Sequence, residues 1–96
     1  MRTQVGIIGA GPAGLLLSRL LTLRGVDNVV LENRSRDYVE ARFRAGILEQ
    51  HTVQTLRDAG VGERLDRQGL PHDGVYLQYP GVRHHLDFPA LCGRRV

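Results

Sequence analysis

The chain opens with a short apolar run, a glycine-rich turn and a dense row of leucines. Residues 4–8 are rich in Val and Ile, which predicts a buried strand. Residues 15–23 repeat apolar side chains too densely for a surface helix, so we expect a helix packed between neighbours, entered at Pro12 and ended at Gly25. A second apolar run over residues 28–32 predicts another strand. A strand, a helix and a strand in this order predict a βαβ unit with parallel strands.

Helices and one extended stretch are predicted next. Ser35 stands where it can cap a short helix that runs through Ala41. Residues 42–45 have an extended pattern, whereas residues 46–59 show helical spacing of apolar positions. A further turn or short helix is expected over residues 61–68.

From Gly74 onward, apolar and polar residues alternate with a period of two. Pro80 and Gly81 turn the chain, and residues 82–88 run back, which predicts an antiparallel β-hairpin. The predicted fold class is therefore α/β, with a Rossmann-like βαβ unit followed by helices and the start of a hairpin. No closing element is predicted after the hairpin, so we expect the chain to be the opening fragment of a longer protein.

Composition and charge exclude several classes of protein. The chain is 42% hydrophobic and 24% charged, as in soluble globular domains. All 13 basic residues are Arg, but they are spread along the chain with a net charge of +3, so no nucleic-acid surface is expected. Arg19 and several glycines interrupt the first apolar stretch, which is too short for a membrane span. The single Cys92 has no disulfide partner and no metal-ligand spacing, so we predict a cytoplasmic protein without a metal site.

Gly9, Gly11 and Gly14 form a GxGxxG motif between the first predicted strand and the first helix. In that context Gly9 permits a tight turn, Gly11 leaves room for a pyrophosphate and Gly14 lets helix and strand pack closely. The free N–H groups of the helix N-terminus then face the phosphates. A glycine-rich turn that binds nothing is the alternative, and we favour a dinucleotide.

Glu32 lies at the end of the second predicted strand, where a carboxylate can accept hydrogen bonds from the ribose hydroxyls of an adenosine and would repel a 2′-phosphate. FAD and NAD share this pattern. Arg42 and Arg44 favour FAD, because alternate residues of an extended chain point the same way and would face one ligand. An NAD dehydrogenase would continue into another βαβ repeat. A surface loop is the alternative for the two arginines.

The chain also resembles a known family over residues 1–87. The strings VGIIGAGPAGLLL and DNVVLE are similar to the start of the single-component FAD-dependent aromatic hydroxylases. The string RFRAGILEQ over residues 42–50, followed by LRDAGV and GLPHDGV, resembles the para-hydroxybenzoate hydroxylase branch of that family. The resemblance implies the N-terminal part of an FAD-binding domain, made of a βαβ unit over residues 1–32, a helical segment over 33–70 and a hairpin over 74–88.

The implied activity is that of a monooxygenase. With NADPH or NADH and O₂, such an enzyme hydroxylates 4-hydroxybenzoate to 3,4-dihydroxybenzoate, and the resemblance implies a homodimer. The implied cofactor-binding residues are Gly9, Gly11, Ala13, Gly14, Glu32, Arg42, Phe43, Arg44, Ala45, Gly46 and Ile47. Ala13 stands where the family often has Ser, so any contact there relies on the backbone.

His72 matches the family's histidine at the outer end of a proton relay that lets the bound phenol ionise. An imidazole is suited to exchanging protons near neutral pH, although a surface histidine in a turn is the alternative. Asn33, Arg34 and Tyr38 fall where the family selects its nicotinamide cofactor. Asn33 replaces an Arg of the family, which leaves NADPH and NADH both open, with Arg34 and Arg36 as candidates for a 2′-phosphate.

Three hypotheses about function stay open at this point. The chain belongs to an aromatic hydroxylase, or to a protein that binds FAD or NAD without oxygen chemistry, or it is an inactive truncated product. The residues that bind the aromatic acid are expected beyond residue 96.

Overall fold

The computed structural model describes residues 1–42 and 46–96, in two compact units that are treated separately, Met1–Gly46 and Ile47–Val96. The predicted FAD-contacting residues Phe43, Arg44 and Ala45 lie outside the described residues. Both units mix helices and strands, so the predicted α/β class is confirmed.

The first unit begins with the predicted βαβ arrangement. Its elements are β1 (Val5–Ile8), α1 (Pro12–Leu23), β2 (Asn28–Leu31) and α2 (Arg36–Ala41). Strands β1 and β2 pair in parallel, with Val5 opposite Asn28 and Ile8 opposite Leu31. Ile7 of β1 is buried, with 7% of its surface exposed. The parallel pairing confirms the βαβ prediction.

Both ends of α1 follow from the sequence. Pro12 occupies the first turn, where its fixed φ suits a helix and its missing N–H costs nothing. Gly25 ends the helix with a φ of +71°, which favours glycine because it has no Cβ. The amides of Gly25 and Val26 donate to the carbonyls of Thr22 and Leu21, so the last turn keeps its hydrogen bonds.

A small polar network ties α1 to the start of β2. The hydroxyl of Ser18 donates to Oδ1 of Asn28 at 2.5 Å. Nδ2 of Asn28 donates to Thr22 Oγ1 and to the carbonyl of Val26, each at 3.0 Å. One amide side chain thereby fixes the helix against the strand at the end of the unit opposite the glycine turn.

The second unit holds three helices and the predicted hairpin. Its elements are α3 (Gln50–Asp58), α4 (Glu63–Gln68), β3 (Gly74–Tyr79), β4 (Val82–Asp87) and α5 (Phe88–Cys92). Strands β3 and β4 are antiparallel, with Tyr79 opposite Val82 across the Pro80-Gly81 turn, which confirms the hairpin. Tyr76 and His85 are also opposite each other, and their rings stack with centroids 4.5 Å apart.

Helices α3 and α4 are joined by an ion pair. The guanidinium of Arg57 contacts the carboxylate of Asp66 with Nη2 at 2.6 Å and Nε at 2.9 Å from Oδ1. The hydrogen bond from Arg57, together with its charge, lowers the pKa of Asp66. Between the two helices, Ala59 is buried with 1% of its surface exposed.

Two sequence predictions need correction in this unit. Helix α3 begins at Gln50, whereas apolar spacing predicted a helix from Gly46. The hairpin ends at Asp87, and Phe88 begins the unpredicted helix α5. The carboxylate of Asp87 caps that helix by accepting from the amide of Ala90 at 3.0 Å. The alternation of apolar and polar residues continues through Asp87 and Phe88, so the sequence pattern did not reveal the helix cap.

Candidate dinucleotide-binding site

The glycine turn closes the gap between β1 and α1. Gly9 has a φ of +109°, a conformation that side chains rarely adopt. Its amide donates to the carbonyl of Leu31 at 2.7 Å, so hydrogen bonding between the strands continues past their ends. A Cβ on Gly14 would collide with the carbonyl oxygen of Gly9 and lie 3.3 Å from Cγ2 of Ile7. Close contact between turn and helix therefore requires a glycine at position 14.

The N-terminus of α1 presents backbone N–H groups. Gly11 is the N-cap, and within the described part of the chain no side chain forms a capping hydrogen bond with it. The first intrahelical bond runs from the amide of Leu15 to the carbonyl of Gly11, so the amides of Ala13 and Gly14 precede it. A Cβ on Gly11 would meet nothing within 4 Å. This helix end can receive an anion.

Glu32 lies beside the same turn. It directly follows β2, and its Oε2 is 3.5 Å from the amide nitrogen of Ala10, a long hydrogen bond. The parallel register sets this contact, because it places the ends of β1 and β2 side by side. The carboxylate and the helix amides therefore meet at one edge of the sheet, where open α/β proteins bind their ligands.

A cleft of about 330 Å³ opens at this edge. Apolar and polar groups share its lining, which consists of Ile8, Gly9, Leu31, Glu32 and Asn33. Ile8 and Leu31 are 83% and 53% exposed, so both carry free apolar surface beside the carboxylate. The motifs in the sequence did not indicate these two residues or the amide of Ala10. Their position at the carboxyl ends of parallel strands was the available signal.

The donor set fits a dinucleotide. Backbone amides at a helix start suit a diphosphate, a carboxylate suits ribose hydroxyls, and an apolar wall suits a flat ring. Gly11 carries no side chain at the helix start, and the space that a Cβ would enter there is open. The binding roles of the individual residues stay predictions.

Two of the three predicted nicotinamide-selecting residues, Arg34 and Tyr38, contact each other, and Arg42 joins them. The guanidinium carbons of Arg34 and Arg42 lie 5.1 and 5.8 Å from the ring centroid of Tyr38. Nη1 of Arg42 also donates to the Tyr38 hydroxyl at 3.1 Å. Ser35 caps α2 by accepting from the Tyr38 amide at 3.2 Å. Asn33 does not belong to this cluster and lines the cleft beside Glu32.

Arg36 is engaged elsewhere. Its Nε lies 2.6 Å from Oε1 of Glu40 one turn along α2. The hydrogen bond to Glu40, and then the charge of that carboxylate, raise the pKa of Arg36. Arg34 is the other arginine proposed from sequence for a 2′-phosphate. Unlike Arg36, it has no carboxylate partner among the described residues.

The remaining predicted cofactor contacts are partly described. Arg42 is extended, with φ −85° and ψ 103°, as the sequence pattern predicted. A Cβ on Gly46 would meet no atom within 4 Å, and Ile47 is 56% exposed. The prediction that Arg42 and Arg44 face one ligand stays open, because Arg44 lies outside the described residues.

His72 is exposed in the second unit, and its backbone is paired on both sides. Its amide donates to the carbonyl of Val96 at 2.5 Å, and the amide of Val96 donates back at 3.0 Å. The neighbouring Asp73 forms an ion pair with Arg95, with Oδ1 and Nε 3.7 Å apart. No local pattern in the sequence indicated that residues 95 and 96 return to this position.

Neither a helix that could span a membrane nor a metal-binding cluster is found in the described part of the chain. In residues 1–42 and 46–96, no helix is long and apolar enough to cross a membrane. Across the same residues, no group of three or more His, Cys, Asp or Glu side chains is arranged to hold a metal ion.

Comparison with known proteins extends the picture beyond the geometry. Residues 2–94 match the family described as FAD binding domain. The chain is 50% identical along its whole length to p-hydroxybenzoate hydroxylase of Acinetobacter baylyi, but it covers only 24% of that protein.

More distant relatives act on other aromatic compounds. Phenol 2-monooxygenase of a Pseudomonas species is 32% identical over 81% of the chain and 13% of the relative. A 3-(3-hydroxy-phenyl)propionate/3-hydroxycinnamic acid hydroxylase of Burkholderia vietnamiensis is 42% identical over 69% of the chain and 12% of the relative. With its glycine turn, Glu32 and a family match over nearly every residue, the chain belongs to the FAD-binding domain family.

Proposed function

We propose that this chain binds FAD as the N-terminal part of a monooxygenase that converts 4-hydroxybenzoate to 3,4-dihydroxybenzoate. The observation that carries the proposal is the contact between the Glu32 carboxylate and the amide of Ala10 at the glycine turn. The 50% identity to a p-hydroxybenzoate hydroxylase supports the choice of substrate. The chain spans only 24% of that relative. We therefore propose the reaction for a full-length protein that contains this chain and has the length of its relatives.

The first unit would hold the adenosine and diphosphate part of FAD. The amides of Ala13 and Gly14 would donate to the diphosphate, because they precede the first hydrogen bond inside α1. Glu32 would accept from the ribose hydroxyls, while Ile8 and Leu31 would lie against the flat ring. The chemistry that FAD supplies when bound is electron transfer and the activation of O₂.

The second unit would contribute proton transfer. A phenol reacts more readily at its ring when it is ionised, so the site must remove the phenolic proton. His72 is exposed and held by two backbone hydrogen bonds, which suits a group that exchanges protons with water. We place it at the outer end of the relay in the full-length protein, which we expect to be a homodimer.

The nicotinamide that reduces the flavin would be selected beside α2. Arg34 stacks on Tyr38 and would contact a 2′-phosphate, which favours NADPH. Arg36 is a weaker candidate because Glu40 already neutralises it. Asn33 offers no charge to a phosphate, so use of NADH is retained in the proposal.

The competing function is a protein that binds FAD or NAD without oxygen chemistry. The glycine turn and Glu32 favour it equally, since both kinds of dinucleotide use them. The two functions differ in a spectrum and a rate. The purified full-length protein should carry flavin, and 4-hydroxybenzoate should accelerate its oxidation of NADPH. Flavin without such acceleration would select the competing function.

Glu32→Gln tests the site itself. The amide keeps the shape of the side chain but loses the charge, and hydrogen bonds to a charged acceptor contribute about 1.5–3 kcal/mol each. The Kd for FAD, measured by quenching of flavin fluorescence, should rise on the order of ten- to a hundredfold. Glu40→Gln is the matched control, because Glu40 pairs with Arg36 on α2, and it should leave this Kd unchanged. Equal affinity in wild type and Glu32→Gln would show that the carboxylate does not hold the cofactor.

A further inference from the structure

Two backbone hydrogen bonds make the His72 segment half of a short strand-like bridge. The amide of His72 donates to the carbonyl of Val96, and the amide of Val96 donates to the carbonyl of His72. Phe88 contributes a third bond nearby, since its amide donates to the carbonyl of Asp73 at 2.8 Å. The backbone of His72 and Asp73 is thereby held between the start of α5 and residue 96.

One side chain of α3 holds the opposite half of this bridge. Nε2 of Gln50 donates to the carbonyl of Arg95 at 2.6 Å. Arg95 is fixed again through its side chain, whose Nε lies 3.7 Å from Oδ1 of Asp73. The side chains of Arg95 and Asp73 are both exposed, so solvent screens this ion pair and it restrains the segment only weakly. The bond from Gln50 is the short contact that joins Arg95 to a helix.

We propose that Gln50 is a positioning residue for proton transfer through His72. This inference rests on the proposed function, in which His72 passes the phenolic proton to water. A relay requires each group to stay within hydrogen-bond reach of the next. His72 is exposed, so packing restrains its side chain little. The range of positions open to the imidazole then depends on how firmly its backbone is held. Without the donor on Gln50, the segment that carries Val96 is released from α3, and the bridge opens more often.

Gln50→Met in the full-length protein removes the donor and keeps an unbranched side chain with good helix propensity. Gln54→Met is the matched control, because Gln54 lies one turn further along α3 and donates to Asp58 instead. The first measurement is hydrogen exchange at the amides of His72 and Val96. Protection should fall roughly two- to tenfold in Gln50→Met, the factor that corresponds to one hydrogen bond. It should be unchanged in Gln54→Met.

The second measurement is the rate at which bound 4-hydroxybenzoate loses its phenolic proton after a pH jump, followed by ultraviolet absorbance. Gln50→Met should slow this rate by a similar factor, with unchanged FAD content. In a His72→Asn background the same substitution should have no further effect, because there is no imidazole left to position.

The outcomes separate the inference from the proposed function. If His72→Asn slows proton release but Gln50→Met does not, the positioning role is wrong and the relay stands. If Gln50→Met slows it equally with and without His72, Gln50 acts by another route and the inference is overturned. If His72→Asn itself changes nothing, the relay is wrong and the inference fails with it.

Discussion

Gly14→Ala is expected to destabilise the βαβ unit, whereas Gly11→Ala is expected to spare the fold and lose the cofactor. The two positions differ in what an added Cβ meets. At Gly14 it collides with the backbone carbonyl of Gly9 and approaches Cγ2 of Ile7 to 3.3 Å. At Gly11 it meets nothing within 4 Å. Both glycines belong to one motif, yet we expect them to have separate tasks.

The stability terms follow from these contacts. Overpacking costs typically about 1–3 kcal/mol, and Gly14→Ala should lie at the upper end, because the obstacle is backbone and cannot change rotamer. Gly11 has φ −76° and ψ −179°, which alanine adopts without strain. Alanine there lowers the entropy of the unfolded chain, which stabilises by roughly 0.4–1 kcal/mol. The loss of a glycine N-cap offsets a similar amount, so the net change at Gly11 should lie near zero.

The affinity for FAD should respond in the opposite way, since Gly11→Ala should weaken it more than Gly14→Ala. A methyl group at Gly11 would stand where we expect the backbone to approach the diphosphate. Each charge-assisted hydrogen bond that it prevents is worth about 1.5–3 kcal/mol, or roughly ten- to a hundredfold in the Kd for FAD. Gly14→Ala should weaken binding only as far as the helix start is displaced.

Thermal unfolding of the apoprotein and a flavin fluorescence titration measure the two effects. Gly14→Ala should lower the unfolding temperature, and Gly11→Ala should keep it while raising the Kd for FAD. An apoprotein with Gly11→Ala that unfolds early, or that binds FAD like the wild type, would refute the assignment of tasks. A Gly14→Ala apoprotein that unfolds at the wild-type temperature would refute it as well.

Four further substitutions test contacts outside the turn. Asn28→Ala removes the bonds between α1 and β2, and the free energy of unfolding in urea should fall by about 1–3 kcal/mol. Asp66→Asn should remove a stabilisation by Arg57 that is present above about pH 4, the carboxyl's unfolded value, and is lost as pH falls through its lowered pKa in the folded state. Urea unfolding of both proteins across this pH range should show the difference shrinking in acid. Arg34→Ala should raise the KM for NADPH about tenfold or more relative to NADH, whereas Arg36→Ala should not, in initial-rate measurements of flavin reduction.

Each of these expectations has an outcome that contradicts it. A stability difference between wild type and Asp66→Asn that is constant with pH would show that the Arg57 pair does not act through ionisation, and Asp58→Asn serves as the control on α3. An unchanged unfolding curve for Asn28→Ala would mean that water replaces the network without loss. A nicotinamide preference that follows Arg36 would assign the phosphate contact to the other arginine.

The sequence predicted those elements whose signals are local. Pro12 and Gly25 mark the ends of α1 through backbone conformation alone, and the Pro80-Gly81 turn marks the hairpin in the same way. The partnership of Glu32 with the glycine turn was also accessible, because parallel strands bring their carboxyl ends together. These features depend on φ, on period and on chain direction, which a single sequence records.

Features that depend on distant contacts were not accessible. Apolar spacing extended α3 back to Gly46, although the helix begins at Gln50. The bridge between His72 and Val96 joins residues far apart in the sequence, with no pattern that links them. The contact between the Arg42 guanidinium and Tyr38 of the helix before it was also not indicated by any pattern in the sequence, and the prediction that Arg42 faces a cofactor stays open.

The hydrogen bond from Gly9 to Leu31 has a mechanical consequence. It locks the bend and the acid-bearing strand end together, so the 3.5 Å separation between Ala10 N and Glu32 Oε2 is set inside a single stretch of polypeptide. Motion elsewhere in a longer protein would then move the glycine turn and Glu32 together. A ligand seated there would keep its anchored end still while its other end follows whatever the remaining chain does.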